Sequence, residues 1–150
     1  MSDGKFAESE VQRILTEFQS ALSSFDWQRL YDSHSAKSYI PAQVGDFLWF
    51  CNGANGAIEV KETEHNYRLK RDAFGDMQLA KLRQRADAGS KVHVISFHYE
   101  VGDWYLTDWE AMRSEFYDKG SASMDLRSTS RRFSTCDEAI TELFLEILNA

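Results

Sequence analysis

The sequence predicts an α/β protein with a mixed sheet, and three observations support that prediction. Apolar residues recur at helical spacing through the first 25 residues. Two apolar segments, FLWFC and AIEV, flank NGANG, whose residues tolerate the positive φ of a hairpin turn. A second helical pattern and the strand-like segment KVHVISFHY come next. The order helix, hairpin, helix, strand favours a mixed sheet flanked by helices.

The first helix is predicted from an apolar stripe near the N-terminus. The stripe comprises Val11, Ile14, Leu15, Phe18, Leu22 and Phe25. Its spacing predicts an amphipathic helix of about 18 residues. The following stretch, WQRLYDSHSAKSYIPAQVG, breaks the pattern and contains the only proline, Pro41. The two strands of the predicted hairpin begin directly after it.

The second half of the chain reads as helices and short strands. A helix is predicted from about Phe74 to Ala88, with Gly89 as its stop. KVHVISFHY and WYLTD read as strands, WEAMRSEFYD as a helix, and KGSASMDLRSTSRRFS as a mobile polar loop. Thr135 and Glu138 match a capping box, which predicts a last helix over CDEAITELFLEILN. Without repeats or a second linker, residues 1–150 are expected to form a single domain.

Charge and cysteine content exclude several classes of function. The formal net charge is −7, so binding to a polyanion would need a local basic patch or bound metal ions. Cys51 and Cys136 form no CxxC, which favours reduced thiols. MSDGKFAESE has no apolar signal segment, and no run reaches membrane-spanning length. We therefore expect a cytoplasmic protein that does not enter the membrane.

Two carboxylates and one ammonium are expected to meet at one end of the hairpin. Glu59 and Lys61 are two apart in a strand, so they share a face. The short turn places Asp46, at the start of the first strand, opposite that end. Neighbouring carboxylates repel unless a cation lies between them, and a hard divalent ion binds oxygen ligands. The Val60 carbonyl can add another oxygen; the alternative is a simple ion pair at a strand end.

Further charged residues extend this hypothesis. Glu8 falls on the sheet-facing side of the first helix, unless the helix has frayed and Glu8 is in water. Residues 61–91 hold eight of the 17 Lys and Arg residues against five acids. Gln78, Lys81 and Arg85 form a polar helix face that can follow phosphates, although such a face can also be merely solvated. The chain has no phosphate-binding glycine loop and no G-x-S-x-G motif.

The pattern resembles the PD-(D/E)xK nuclease superfamily. Asp46, Glu59 and Lys61 match its core motif, and Gly4 with Glu8 resembles the G-x-x-x-E of its first helix. Within the superfamily, the sequence is most similar to RecU-type and phage-encoded Holliday junction resolvases. The similarity rests on RLYDSHSAKSYIPAQVGDF, IEVKET, F-x-x-x-Q ending at Gln78, and G-x-x-V-x-V-I-x-F. It covers roughly residues 4–110 and implies a restriction-endonuclease-like core with αβββαβ order.

The resemblance also implies a chemistry. Asp46, Glu59 and the Val60 carbonyl would hold Mg²⁺ or Mn²⁺, with Glu8 joining through water or a second ion, and Lys61 would orient the attacking water. Phosphates would be held by Gln78, Arg68, Lys70, Lys81 and Arg85. The expected partner is branched or double-stranded DNA, bound by a homodimer. Another nuclease of the superfamily, and an inactive nucleic-acid or protein-binding module, remain alternatives.

Overall fold

The computed structural model describes residues 4–30 and 46–150. These residues form helices and strands in the following chain order: α1 (Lys5–Ala21), β1 (Phe25–Arg29), β2 (Phe47–Cys51), β3 (Ala54–Thr63), β4 (Arg68–Lys70), a 3-10 turn (Arg71–Ala73), α2 (Asp76–Asp87), β5 (Lys91–His98), β6 (Asp103–Asp108), α3 (Trp109–Met112), a π-helical segment (Arg113–Asp118), β7 (Ser123–Asp125), α4 (Leu126–Thr129), β8 (Arg131–Phe133) and α5 (Cys136–Leu148). The predicted α/β class is confirmed.

A six-stranded mixed sheet organises the fold. Its strand order is β1-β2-β3-β5-β6-β8. Strands β3 and β5 are parallel and are joined through α2, whereas the other neighbours in the sheet are antiparallel. Strands β4 and β7 form a separate antiparallel ribbon. The series α1, β1, β2, β3, α2, β5 has the expected αβββαβ order, with β4 inserted before α2.

The sheet separates two hydrophobic cores. Helices α1 and α5 cover one face, where Ile58 and Val60 of β3 are buried. On the other face, Ala57 of β3 packs with α2, α3 and the β4–β7 ribbon. Because successive side chains of a strand point to opposite faces, Glu59 and Lys61 belong to the face of α2. Helix α2 can therefore contact Glu59 and Lys61.

The turn between β2 and β3 is the predicted hairpin turn. Asn52 and Gly53 both have positive φ, 51° and 87°, as a two-residue turn with the correct twist requires. Further along β3, an added Cβ at Gly56 would collide with the Trp49 ring and the Lys91 carbonyl. Glycine at this position therefore lets β3 approach β5 beneath a tryptophan.

The N-terminal helix has 17 residues, close to the predicted length of about 18, but it begins and ends earlier than its apolar stripe. Helix α1 ends at Ala21, and Phe25 instead begins β1, where it pairs with Cys51. Phe25 fits the spacing of the apolar stripe without being helical. Its ring is buried in the same core as α1, where it packs edge-on against Phe144 at 5.0 Å between centroids. The predicted helix at 74–88 and the WEAMRSEFYD helix are confirmed. The capping box is also confirmed, with Thr135 Oγ1 accepting from the Glu138 N–H at 3.2 Å.

The predicted mobile loop over KGSASMDLRSTSRRFS is wrong. In this segment β7 pairs with β4, β8 pairs with β6, and α4 connects β7 to β8. Met124 and Leu126 are completely buried in the core beneath α2. The Asp125 side chain accepts from the Arg127 N–H at 2.9 Å and caps α4. A few isolated apolar residues thus anchor a segment whose composition is polar.

Two other expectations concern cysteines and membranes. Cys51 and Cys136 are both buried and form no disulfide. Within residues 4–30 and 46–150, no helix has the length and apolar character needed to cross a bilayer. The stretch around Pro41 that contributes to the family resemblance lies outside the described residues.

Candidate active site

Asp46 is fixed by backbone contacts at the edge of β2. Its N–H donates to the Ile58 carbonyl at 2.9 Å, and its own carbonyl accepts from the Leu30 N–H at 2.8 Å. Its Oδ2 accepts a hydrogen bond from the Val60 N–H at 2.7 Å. The carboxylate therefore lies beside the segment that carries Glu59, as the hairpin predicted.

Glu59 is a nearly inaccessible carboxyl group. Its side chain is only 2% exposed. Oε2 accepts from Gln78 Nε2 at 2.8 Å, and Oε1 lies 3.5 Å from Lys61 Nζ. The neighbouring residues along the strand, Ile58 and Val60, face the other core. Glu59 thus projects into a polar cluster on the α2 side of the sheet.

Gln78 connects Glu59 to Lys61. Its Oε1 accepts from Lys61 Nζ at 3.2 Å, while its amide nitrogen donates to Glu59. The Lys61 ammonium also lies 4.9 Å from the centre of the Phe74 ring, a cation–π distance. The sequence grouped Gln78 with Lys81 and Arg85 as one polar face. In the structure Gln78 turns towards the carboxylates, whereas Lys81 and Arg85 are exposed.

The surroundings of Glu59 oppose its ionisation. Burial raises the pKa of the Glu59 carboxyl well above its usual range. The negative charge of Asp46, which is also hydrogen-bonded to Glu59, raises that pKa further, and the Lys61 ammonium opposes both effects. Without another cation, the cluster therefore favours a protonated Glu59.

The available oxygen atoms fit a hard cation. Asp46 and Glu59 supply two carboxylates. In a strand, the N–H and C=O of one residue point to the same side. Since the Val60 N–H reaches Asp46, the Val60 carbonyl also faces the Asp46 edge. The described parts of the chain contain no group of three or more His, Cys, Asp or Glu residues suited to a metal. This donor set suits Mg²⁺, which commonly keeps several water ligands.

Glu8 pairs with an arginine of β1. It belongs to α1, which packs against the face of Ile58 and Val60. Its Oε2 accepts from Arg29 Nη2 at 2.7 Å, and the Arg29 guanidinium lies 5.5 Å from the centre of the Phe47 ring. These contacts do not test the metal role of Glu8, which stays a prediction.

The predicted phosphate contacts are exposed cations on β4 and α2. Among the described residues, no acid lies within 4.0 Å of Arg68, Lys70, Lys81 or Arg85. Arg68 nevertheless faces Asp125 across the β4–β7 ribbon, and Arg127 and Arg68 both lower the pKa of that carboxyl. In contrast, Arg113 lies 2.6 Å from Glu110 and 3.2 Å from Asp118. In a protein of formal net charge −7, a group of exposed cations without ion-paired acids marks a surface suited to an anionic ligand.

Further arginines near β4 and α2 were not selected from the sequence, and of these Arg83 lies 3.9 Å from Asp87. Arg71 and Arg83 lie 5.5 and 4.4 Å from the Tyr117 ring centre. Arg127 lies 3.6 Å from the Tyr67 ring centre and binds Asp125 at 2.8 Å. Arg71 and Arg83 belong to the basic stretch 61–91, which was a usable signal. Arg127 lies far along the chain, in the segment predicted to be mobile, and only the β4–β7 pairing brings it close.

Comparisons with solved structures show a structural likeness to a DNA-processing protein. The chain is similar to Hjc, a Holliday junction resolvase from the archaeal hyperthermophile Archaeoglobus fulgidus. The two share 14% sequence identity, the match covers 91% of this chain and 92% of that chain, and the TM-score is 0.46. No protein family model and no curated protein sequence matches this chain.

Proposed function

We propose that this protein is a metal-dependent DNA endonuclease that cleaves branched DNA, with Holliday junctions as the leading substrate. The observation that carries the proposal is Glu59, buried beside Asp46 and hydrogen-bonded to a glutamine that also holds Lys61. Clustering of like charges in a buried site is costly unless a cation is recruited. The arrangement is the one expected for the PD-(D/E)xK motif that the sequence resembles.

The residues of the cluster have distinct roles in this proposal. Asp46, Glu59 and the Val60 carbonyl would hold Mg²⁺ or Mn²⁺. The bound ion would supply activation of a water molecule and charge neutralisation at the scissile phosphate. The Lys61 ammonium is positioned to orient the attacking water or to stabilise developing negative charge. Gln78 is a positioning residue, because it fixes both the Glu59 carboxylate and the Lys61 ammonium.

A homodimer is part of the proposal. A four-way junction has two symmetric cleavage positions, and a two-fold symmetric protein would present two matching sites. Phe6, 54% exposed, packs against Phe97 at 5.2 Å between ring centroids, so apolar surface is available for self-association. Light scattering at micromolar concentration should give twice the chain mass. A monomer both with and without junction DNA would contradict the resolvase and favour another nuclease of the superfamily.

The proposal also includes an intracellular location for the protein, whether its gene is cellular or carried by a phage. Two buried cysteines without a disulfide support a reducing compartment. The acidic net charge of −7 requires that DNA binding depend on the local cationic surface rather than on overall attraction.

The direct test is cleavage of a labelled four-way junction and of matched linear duplexes, with Mg²⁺ or with EDTA. The proposal expects cleavage of the junction only with the metal, and none by Asp46→Asn. Cleavage of linear duplexes at the same rate would favour a replication-repair or restriction-type nuclease. Binding without cleavage under any metal would favour an inactive nucleic-acid-binding module, and full activity in EDTA would contradict the metal.

A further inference from the structure

A depression adjoins the proposed catalytic cluster at the C-terminal end of β3. It has a volume of about 150 Å³, far more than the ~10–15 Å³ that one water requires. The loop after β3, strand β4 and the 3-10 turn form its walls. Its lining residues are Lys61, Glu62, Thr63, His65, Arg68, Leu69, Lys70, Asp72 and Ala73. Lys61 therefore belongs both to this depression and to the carboxylate cluster.

Three permanent cations line the depression. Lys61 is held by Gln78 and Glu59, but Arg68 and Lys70 have no acidic partner within 4.0 Å in the described parts of the chain. Two acids are also present. The Glu62 carboxylate is engaged elsewhere, since its Oε1 accepts from the Ala7 N–H at 2.9 Å. Asp72 is exposed on the 3-10 turn. The depression thus offers Lys70, which has no acidic partner within 4.0 Å among the described residues, and Arg68, whose charge is partly offset by Asp125 across the β4–β7 ribbon. Beside them lies Lys61, which faces the proposed catalytic centre.

The lining chemistry favours a phosphate over a base or an apolar group. Among the described lining residues there is no Phe, Tyr or Trp on which a base could stack. Leu69 is buried beneath the ribbon, whereas the side chains of Arg68 and Lys70, its neighbours on β4, are exposed. Arginine and lysine are the usual ligands of backbone phosphates.

We propose that this depression binds a backbone phosphate next to the scissile phosphate. The inference rests on the proposed nuclease function and adds a defined subsite to it. Lys61 separates the two phosphate positions, so one DNA strand would pass from the carboxylates, over the lysine, to Arg68 and Lys70. Occupation of the depression would set the register of that strand at Asp46 and Glu59.

The test uses junction DNA in which single phosphates near the cleavage position are replaced by neutral methylphosphonates. Binding is measured by mobility shift with Ca²⁺ in place of Mg²⁺, which keeps the readout independent of cleavage. For the unmodified protein, the methylphosphonate replacement at one position next to the scissile phosphate should weaken binding by about 10-fold. This is the loss expected for a charged hydrogen-bonding contact. The variant Arg68→Ala/Lys70→Ala should bind about 10-fold more weakly and become insensitive to that same replacement.

The matched control is Lys91→Ala. Lys91 is exposed and lies opposite Gly56, at the start of the parallel strand pair, whereas the depression lies at its other end. This variant should keep the affinity and the methylphosphonate pattern of the unmodified protein. Circular dichroism should show that both variants are folded.

The outcomes separate this inference from the proposed function. One outcome is that the protein cleaves the junction, but no single methylphosphonate replacement loses its effect in Arg68→Ala/Lys70→Ala. That result would overturn the subsite and leave the proposed nuclease function intact. An equal loss at every phosphate position would also overturn it, because it indicates general attraction. Absence of both DNA binding and cleavage would overturn the subsite together with the proposed function.

Discussion

Gln78 Nε2 lies 2.8 Å from Glu59 Oε2 while the same amide accepts a hydrogen bond from Lys61. One side chain of α2 thereby fixes two groups of β3. An amide suits this position because it donates to the carboxylate and accepts from the ammonium at once. Neither a carboxylate nor an ammonium at residue 78 could do both.

Gln78→Ala should lower the cleavage rate by about 10- to 100-fold, the usual range for residues that orient metal ligands. It should also raise the Mg²⁺ concentration needed for half-maximal rate, which loss of folding alone would not do. The control is Gln84→Ala, an exposed position on the same helix. Equal effects of the two variants would show that the amide bridge has no role in activity. Single-turnover rates across a Mg²⁺ series provide the measurement.

Asp46→Asn should abolish cleavage and raise the stability of the metal-free protein. Burial and the Asp46 charge both raise the pKa of Glu59 in the folded protein, which destabilises the fold at neutral pH. Removing the Asp46 charge lessens that penalty. The gain in unfolding free energy should be on the order of 1 kcal/mol. The asparagine carbonyl can still accept from the Val60 N–H. Urea unfolding in EDTA measures the effect, and a loss of stability would show that the carboxylates do not repel.

Protonation of His98 should destabilise the protein in acid. The ring is fully buried; since a carbonyl can only accept, Nδ1 must donate to the His65 carbonyl, and Nε2 accepts from Ser96 Oγ at 2.9 Å. Burial lowers the pKa of His98, with the His65 carbonyl acting in the opposite direction. Below the ordinary histidine pKa of about 6.5, His98 is protonated in the unfolded chain but stays neutral in the folded protein. Stability is therefore present above that pH and falls as the pH drops towards the lowered pKa.

The measurement is the unfolding free energy as a function of pH for the unmodified protein and for His98→Gln. The loss attributable to His98 should not exceed about 1.4 kcal/mol per pH unit. His98→Gln should be less stable at neutral pH and should lack this part of the slope. Parallel curves for the two proteins would contradict the assignment.

The double variant Lys81→Ala/Arg85→Ala should bind all DNA more weakly and show a flatter salt dependence. Each phosphate contact contributes about −0.9 to the slope of log affinity against log salt, so the slope should change by about two. The control is Lys119→Ala, because Lys119 is exposed but lies 3.2 Å from Glu115. A mobility-shift titration at several salt concentrations gives the slopes. Identical slopes for the double variant and the unmodified protein would remove these residues from the DNA surface.

DNA binding should also depend on divalent metal. Without metal the Asp46 carboxylate repels a phosphate, and one Mg²⁺ would add two positive charges there. In EDTA, Asp46→Asn should therefore bind junction DNA more tightly than the unmodified protein. Binding that responds neither to metal nor to the Lys81 and Arg85 substitutions would favour the inactive-module alternative.

The meeting of Asp46 with Glu59 and Lys61 was predictable because it depends only on local rules. The two-residue periodicity of a strand and the Asn52–Gly53 turn determine which side chains share a face. The same rules predicted α2 and the capped helix α5. These features need no knowledge of distant parts of the chain.

The features that sequence analysis missed depend on tertiary contacts. Phe25 fits a helical stripe, but it forms part of strand β1 because it pairs with Cys51 of β2. Met124 and Leu126 are single apolar residues in a polar stretch, and only the core beneath α2 explains their order. The Lys61 contact with the Phe74 ring likewise arises from the packing of α2 on the sheet. Local periodicity contains none of this information.

The order in which the two faces of the sheet are covered has a consequence for protein synthesis. Residues 46–78, which include the catalytic cluster, leave the ribosome before α5 covers one face and before β7 pairs with β4 on the other. Until then, β3 and β5 expose apolar surface on both sides. Domains fold as units during translation. Under the proposed function, we therefore expect the nascent chain to lack nuclease activity until α5 has emerged.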